Sequence, residues 1–285
     1  MITVQNLYHD YEGKGAYAVK DVSFEIQKGE IFGFLGPSGA GKSTVQGIMT
    51  GLLKLQQGQI HYNGDDVSAL RAKFFNRIGV SFELPYLYHK LSGYENLKYY
   101  AGLFDVPTQD PYRLLEMVGL RADAHKRVSA YSRGMKQRLV FVRSLVNSPE
   151  ILFLDEPTGG LDPNTSDEIK QIIRAQIERG ATIFLTTHNM FIAEELCDRV
   201  AFINDGQIVA LDTPRNLKLQ HGQRSVRVEY RENGQVNSDI FFLDQKKQRD
   251  ELQAVIAHKE VQTMHTQEAT LEQIFMKLTG RGLGG

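Results

Sequence analysis

Short apolar runs alternate with amphipathic stretches along residues 1–222, and this alternation predicts strands and helices in turn. Residues 151–154 and 182–185 are apolar throughout, which is typical of central strands covered on both faces of a sheet. Repeated strand–helix units favour a mostly parallel sheet flanked by helices. The pattern therefore predicts an α/β domain over residues 1–222.

One segment inside this domain has a different character. Residues 84–149 are rich in Tyr, Leu and Lys, and prolines at 85, 107 and 111 divide them into short stretches. Most of these stretches show helical spacing of their apolar residues. We therefore predict a helical subdomain, at about 84–149, inserted into the sheet core.

The pattern changes again after residue 222. Alternating apolar side chains at Val226, Val228 and Tyr230 precede a second apolar run and predict a β-hairpin. Thr270 and Gln273 form the pattern of a capping box that opens an amphipathic helix. Residues 223–279 are therefore predicted to be a small α+β appendix, followed by a flexible tail at 280–285.

A glycine-rich segment supplies the first chemical signal. It follows an apolar strand, precedes a helix, and fits the phosphate-binding pattern G-x-x-x-x-G-K-[ST], which is the context that this motif requires. Its glycines let backbone N–H groups turn toward phosphate oxygens, and its lysine adds a charge for the β- and γ-phosphates. The predicted ATP-binding residues of this P-loop NTPase core are Gly36, Pro37, Ser38, Gly39, Ala40, Gly41, Lys42, Ser43 and Thr44.

Two acidic residues end the buried strand at residues 151–154. Asp155 is suited to hold Mg²⁺ beside the phosphates, together with the Ser43 hydroxyl. Glu156 can accept a proton from an attacking water and is the predicted catalytic base. Adjacent carboxylates at a buried edge are costly for folding unless a cation or ligand compensates, which favours a functional role for the pair.

Together these motifs resemble those of ABC transporter ATP-binding subunits, and the resemblance covers nearly all of residues 1–222. Residues 131–138 resemble the family's L-S-G-G-Q signature, and residues 155–163 resemble its Asp-Glu pair and D-loop. Residues 186–188 resemble its switch histidine, which implies that His188 is catalytic and contacts the γ-phosphate; a buried core histidine is the alternative. Tyr11 lies where the family has an adenine-stacking aromatic residue, with Tyr8 and Tyr17 as alternatives.

The resemblance also implies a second anion site. In such proteins the signature faces the ATP held by the other subunit, so Ser132, Gly134 and Asp162 are expected to contact ATP in trans. Ser132 is a good helix N-cap, and an ordinary capped helix is the rival interpretation. Arg133 and Met135 depart from the usual signature, and similar variants occur among drug-export subunits.

The sharpest departure concerns the metal site. Glu83 stands where the family normally has glutamine, so it is predicted to ligate Mg²⁺ with Ser43 and Asp155; exposure to solvent is the alternative. Tyr86, Tyr88 and Tyr94 either form a groove for a membrane subunit or pack within the helical subdomain.

The remaining expectations concern partners. The formal net charge of −1 does not support nucleic-acid binding, and no apolar run approaches the about 20 residues that span a bilayer. Cys197 is the only cysteine, consistent with a reducing cytosol. With ATP and Mg²⁺ as cofactors, we expect an ABC-2-type export ATPase that forms a homodimer. It would lie on the inner face of the cell membrane and drive a separate transmembrane subunit. The alternative is an ABC ATPase acting on ribosomes or DNA.

Overall fold

The computed structural model describes residues 1–67, 72–232 and 234–280, so most of the predicted tail at 280–285 lies outside the described residues. The strands are β1 (Ile2–His9), β2 (Val19–Ile26), β3 (Ile31–Leu35), β4 (Gln57–Tyr62), β5 (Asp65–Asp66), β6 (Ile78–Ser81), β7 (Ile151–Asp155), β8 (Thr182–Thr187), β9 (Arg199–Asn204), β10 (Gln207–Asp212), β11 (Ser225–Glu232), β12 (Gln235–Phe242) and β13 (Glu260–Gln267). The helices are α1 (Lys42–Met49), α2 (Ala72–Phe75), α3 (Gly93–Ala101), α4 (Pro111–Met117), α5 (Arg133–Arg143), α6 (Pro163–Glu178), α7 (Met190–Leu196), α8 (Pro214–His221), α9 (Lys246–His258) and α10 (Leu271–Thr279). Within the described ranges, no helix combines the length and apolar composition that a membrane span needs.

A six-stranded sheet, in the order β10-β9-β3-β8-β7-β6, forms the centre of the first compact unit, Met1 to Leu211. Strands β3, β6, β7, β8 and β9 pair in parallel, as the alternating pattern predicts. Parallel neighbours end at the same edge of a sheet. The segments after β3, β7 and β8 therefore meet at one edge, although they are far apart in sequence.

A second sheet of this unit was not predicted. Strands β1, β2, β4 and β5 form an antiparallel sheet in the order β2-β1-β4-β5. Its Phe24 stacks on Phe32 of β3 and on Phe184 of β8, with ring centroids 5.2 and 6.0 Å apart. These rings belong to a buried cluster that joins the two sheets, and burial of such aromatic area stabilises the unit.

Helices α3, α4 and α5 lie between β6 and β7, in the segment predicted to be helical. Ser92 and Glu95 form a capping box at the start of α3, in which each side chain accepts a hydrogen bond from the other residue's backbone N–H. Arg143 at the end of α5 is buried, and its guanidinium donates to the carbonyl of Tyr86. This bond ties the chain that follows β6 to the helical segment.

The second compact unit begins at Asp212, ahead of the predicted start at residue 223, because α8 packs against α10. Strand β11 pairs antiparallel with β12, as predicted for the hairpin, and also with β13. Helix α9 packs on this sheet over a core that includes Val228 and Leu252. The capping box at Thr270 is present, with Leu271, Ile274 and Phe275 buried on α10.

Candidate active site

The glycine-rich loop between β3 and α1 has the geometry of an anion cradle. Gly39 and Gly41 have φ angles of +79° and +107°, in the left-handed region that other residues rarely adopt. A Cβ atom on Gly41 would lie 2.7 Å from the carbonyl oxygen of Ala18, so a side chain cannot fit there. The Lys42 ammonium donates to the carbonyls of Gly36 and Pro37, at 2.7 and 2.9 Å. This curls the loop around the lysine.

Asp155 ends β7 beside this loop. One carboxylate oxygen accepts a hydrogen bond from the Ser43 hydroxyl at 3.3 Å, and the other accepts one from the Thr186 hydroxyl. Burial raises the pKa of Asp155, and the bond from Thr186 opposes that shift. Burial lowers the pKa of Lys42, while the charges of Glu156 and Asp155 oppose it. The Ser43 and Asp155 oxygens are hard donors close together, so this pair fits Mg²⁺.

Glu156 follows in a strained backbone conformation, with a φ angle of +46°. One of its carboxylate oxygens accepts from the backbone N–H of His188 at 2.7 Å and lies 2.6 Å from His188 Nδ1. The other accepts from the Thr187 hydroxyl at 2.8 Å. The His188 side chain is 65% exposed, so the alternative of a buried core histidine is wrong. Its contact with a γ-phosphate remains a prediction.

These groups line one cleft of about 420 Å³. Tyr11 lies on its wall, and its hydroxyl is 2.9 Å from the Thr44 hydroxyl. Tyr8 and Tyr17 instead pack on each other with their rings 5.6 Å apart. Of the three candidates, only Tyr11 therefore lines the cleft. Its lining residues are Tyr11, Ala18, Ser38, Gly39, Gly41, Lys42, Ser43, Thr44, Glu83, Asp155, Glu156 and His188.

Glu83 lies on the cleft wall and is also exposed. Its position is therefore compatible with the predicted ligation of Mg²⁺ and with the alternative, exposure to solvent. Its charge adds to the effect of burial in raising the pKa of Asp155, and it opposes the lowering of the Lys42 pKa by burial, as expected for a carboxylate near both groups. Glu83 is therefore close enough to act on the predicted metal site electrostatically. Direct ligation of Mg²⁺ by Glu83 stays a prediction.

The residues expected to act in trans lie apart from this cleft. Ser132 caps α5 and accepts from the backbone N–H of Met135 at 3.2 Å. Asp162 caps α6 and accepts from the backbone N–H of Thr165 at 3.0 Å. Neither these two residues nor Gly134 is among the described residues that line the cleft. Their contact with ATP on a second subunit stays a prediction.

Two site residues were missed from the sequence. Thr186 and Thr187 end β8, are buried, and donate to Asp155 and Glu156 respectively. The available signal was a pair of hydroxyl residues at the end of a strand that neighbours the acidic one. Such hydroxyls can hold carboxylates in place, because the carboxyl ends of parallel strands share one edge.

The fold and the cleft define the class of P-loop NTPases. Residues 19–159 match the family model described as ABC transporter, and residues 224–268 match the model of the fluoroquinolone efflux ABC transporter C-terminal domain. The fluoroquinolones export ATP-binding protein of Mycobacterium tuberculosis H37Rv is 49% identical over 99% of this chain and 94% of its own length. The linearmycin resistance ATP-binding protein LnrL of Bacillus subtilis 168 is 31% identical over 99% of both chains.

Solved structures agree with these relatives. A dimeric post-hydrolysis structure of the ATP-binding cassette MJ0796 with ADP and Pi is 26% identical, covers 75% of this chain and 98% of that one, and has a TM-score of 0.69. The chain belongs to the ABC transporter ATP-binding protein family. The predicted family, fold class and ATPase activity are thereby confirmed, and the alternative role on ribosomes or DNA is not favoured.

Proposed function

We propose that this chain is the ATP-hydrolysing motor subunit of an ABC exporter. The observation that carries this proposal is the constellation in the cleft after β3, β7 and β8. There a lysine, a Ser–Asp pair and a Glu–His pair face one space; Lys42, Asp155 and Glu156 are buried, whereas Ser43 and His188 are exposed. The family relationship and the export named for the relatives support the same function.

Individual residues of this chain have separate roles in ATP binding and hydrolysis. Lys42 neutralises the β- and γ-phosphates, and Tyr11 stacks on adenine. Ser43, Asp155 and Glu83 hold Mg²⁺, which when bound supplies positive charge against the phosphate oxygens. Glu156 accepts the proton of the attacking water.

His188 takes part through Glu156. Its backbone N–H and its Nδ1 both contact one oxygen of Glu156. A γ-phosphate within reach of the exposed imidazole competes for that ring. Movement of the ring toward the phosphate then frees the Glu156 oxygen to accept from water.

The subunit acts as a homodimer in which each ATP is covered by the signature of the other copy. The exposed helix start at Ser132 presents backbone N–H groups to an anion, and Gly134 leaves room, since a Cβ there would meet nothing closer than 3.6 Å. Asp162 completes this face. Dimeric cassettes among the solved relatives support this arrangement.

A separate membrane subunit docks on the helical segment, which places this chain at the inner membrane surface. A groove of about 540 Å³ is lined by apolar residues that include Phe75, Phe82 and Leu103. Tyr86, whose ring lies 6.4 Å from that of Phe82, is 68% exposed and Tyr88 is 55% exposed, whereas Tyr94 packs on Tyr112 at 4.6 Å. Exposed apolar surface of this kind is suited to a protein partner.

The cargo is proposed from the relative that is 49% identical, whose name specifies fluoroquinolones. Two measurements test the function. Purified chain with Mg²⁺ and ATP releases phosphate, and Glu156→Gln lowers that release ~10²–10⁴-fold without abolishing ATP binding. Cells that produce the chain with its membrane partner accumulate less of a fluorescent fluoroquinolone than cells that carry Glu156→Gln. Equal accumulation in both strains would exclude this cargo, and absence of phosphate release would exclude the motor function.

A further inference from the structure

A second cavity lies far from the ATP chemistry in sequence and entirely within the unit that begins at Asp212. It measures about 700 Å³, within the range of about 300–1,000 Å³ that is typical of small-molecule sites. One wall is the face of the β12-β11-β13 sheet opposite the α9 core, and the other wall is α10. No residue of the P-loop cleft lines it.

The sheet wall combines apolar area with a cation. Arg227 of β11 lies between Ile240 of β12 and His265 of β13 in the strand register. In the next row, Ser225 lies between Phe242 and Gln267. Ile240 is 43% exposed, so its side chain offers open apolar surface beside the guanidinium.

The helix wall adds a second cation. Gln273, Ile274 and Lys277 recur at helical spacing on one face of α10 and line the cavity, together with the N-cap residue Thr270. The Lys277 ammonium donates to the carbonyl oxygen of His221 at 2.8 Å, which is a neutral partner, and it makes no ion pair with any residue in the described ranges.

The cavity wall carries more positive than negative charge. Arg227 makes no ion pair with any residue that the structure describes. The carboxylate on the wall, Glu268, lies 3.7 Å from the Lys218 ammonium, so it is already compensated. The half-apolar cavity is therefore lined by two cations, Arg227 and Lys277, and by one carboxylate that lies beside the Lys218 ammonium.

We propose that this cavity binds a small organic anion, in which a carboxylate or sulfonate is attached to a flat apolar body. The anionic group pairs with Arg227, whose planar guanidinium can bind both oxygens at once, and Lys277 adds a second charge. The apolar body lies against Ile240, Phe242 and Ile274. This makes the C-terminal unit a ligand-binding module as well as a structural appendix.

The test uses the full chain and the fluorescent probe anilinonaphthalene sulfonate, titrated with ADP in excess so that the ATP cleft is filled. Arg227→Gln should weaken probe binding about tenfold or more, because a charge-assisted hydrogen bond is lost. Lys277→Gln should weaken it less. The matched control is Arg231→Gln, on the same strand and the same face but outside the cavity, which should leave affinity unchanged.

A second probe separates the contribution of the anionic group to binding from that of apolar contact. Phenylnaphthylamine has the same aromatic body without the sulfonate and should bind the chain weakly, with no difference between Arg227→Gln and the unmodified protein. Equal binding of both probes, or equal effects of Arg227→Gln and Arg231→Gln, would overturn the proposal. So would probe fluorescence that falls as protein concentration rises, because a second copy of the chain would then fill the cavity. None of these readouts depends on ATP hydrolysis.

Discussion

Replacing Thr187 with valine should slow ATP hydrolysis without weakening ATP binding. The Thr187 side chain is only 1% exposed, and its hydroxyl donates to Glu156 at 2.8 Å while it accepts from the backbone N–H of Asn189 at 3.0 Å. Valine has nearly the same shape but cannot donate. Glu156 then keeps only its contacts with His188, and the proposed mechanism moves the His188 ring away from it when ATP is bound.

The magnitude follows from the kind of bond that is lost. A hydrogen bond to a charged group contributes about 1.5–3 kcal/mol, and each ~1.4 kcal/mol corresponds to a tenfold change. If that free energy holds the carboxylate in its reactive orientation, kcat falls about tenfold to one-hundredfold. Thr187 does not line the ATP cleft, so the dissociation constant of ATP should stay within about twofold.

The assay is phosphate release at saturating Mg²⁺-ATP, with ATP affinity measured by calorimetry. Thr187→Ser keeps the hydroxyl and should recover most of the activity. The matched control is Thr182→Val, at the other end of β8, where the hydroxyl accepts from the backbone N–H of Gly29 at 3.0 Å. Both valine variants should lose similar thermal stability. The reasoning is refuted if they also have the same kcat, or if Thr187→Val weakens ATP binding as much as turnover.

Substitutions at four further positions test the rest of the site. Glu156→Gln should retain ATP binding and lose ~10²–10⁴-fold in turnover, measured by phosphate release, and should accumulate an ATP-bound dimer on size exclusion. Lys42→Ala should abolish ATP binding in calorimetry with the fold intact by circular dichroism. Ser132→Arg should bind ATP but fail to dimerise on it, and mixing it with Lys42→Ala should restore one composite site; normal dimerisation would place the second anion site elsewhere. Glu83→Ala should reduce transport more than ATP affinity while Glu83→Gln is tolerated, an expectation that equal transport by the alanine variant would contradict.

Local patterns predicted the features that depend on neighbouring residues. The phosphate loop can be predicted from the sequence because the residues that form it are consecutive. Gly41 supplies the left-handed φ angle, and Lys42, which contacts the loop carbonyl of Gly36, follows directly. The capping box at Thr270 can be predicted for the same reason, since both of its hydrogen bonds join residues within one four-residue segment. The antiparallel sheet and strand β13 were missed, because their pairing partners lie far away along the chain.

The side-chain pairs of the active site depend on the register of the parallel strands β7 and β8. Asp155 of β7 lies opposite Thr186 of β8, so that hydroxyls and the histidine from one strand end reach both acids of the other. The choice of Tyr11 over Tyr8 also depends on packing against a distant residue, Thr44. No periodicity within a segment encodes such distances.

The class of chemistry can be predicted from the order of the amino acids, because a phosphate cradle and strand-end carboxylates are local arrangements of backbone and charge. How the acids are held and where the second cavity lies depend on contacts that form only in the folded chain. Strand register brought Thr187 to Glu156, and the fold of the second unit placed Arg227 of β11 and Lys277 of α10 on the walls of one cavity. Contacts between distant residues form only when burial of the core offsets the entropy of closing long loops, so they belong to the folded chain.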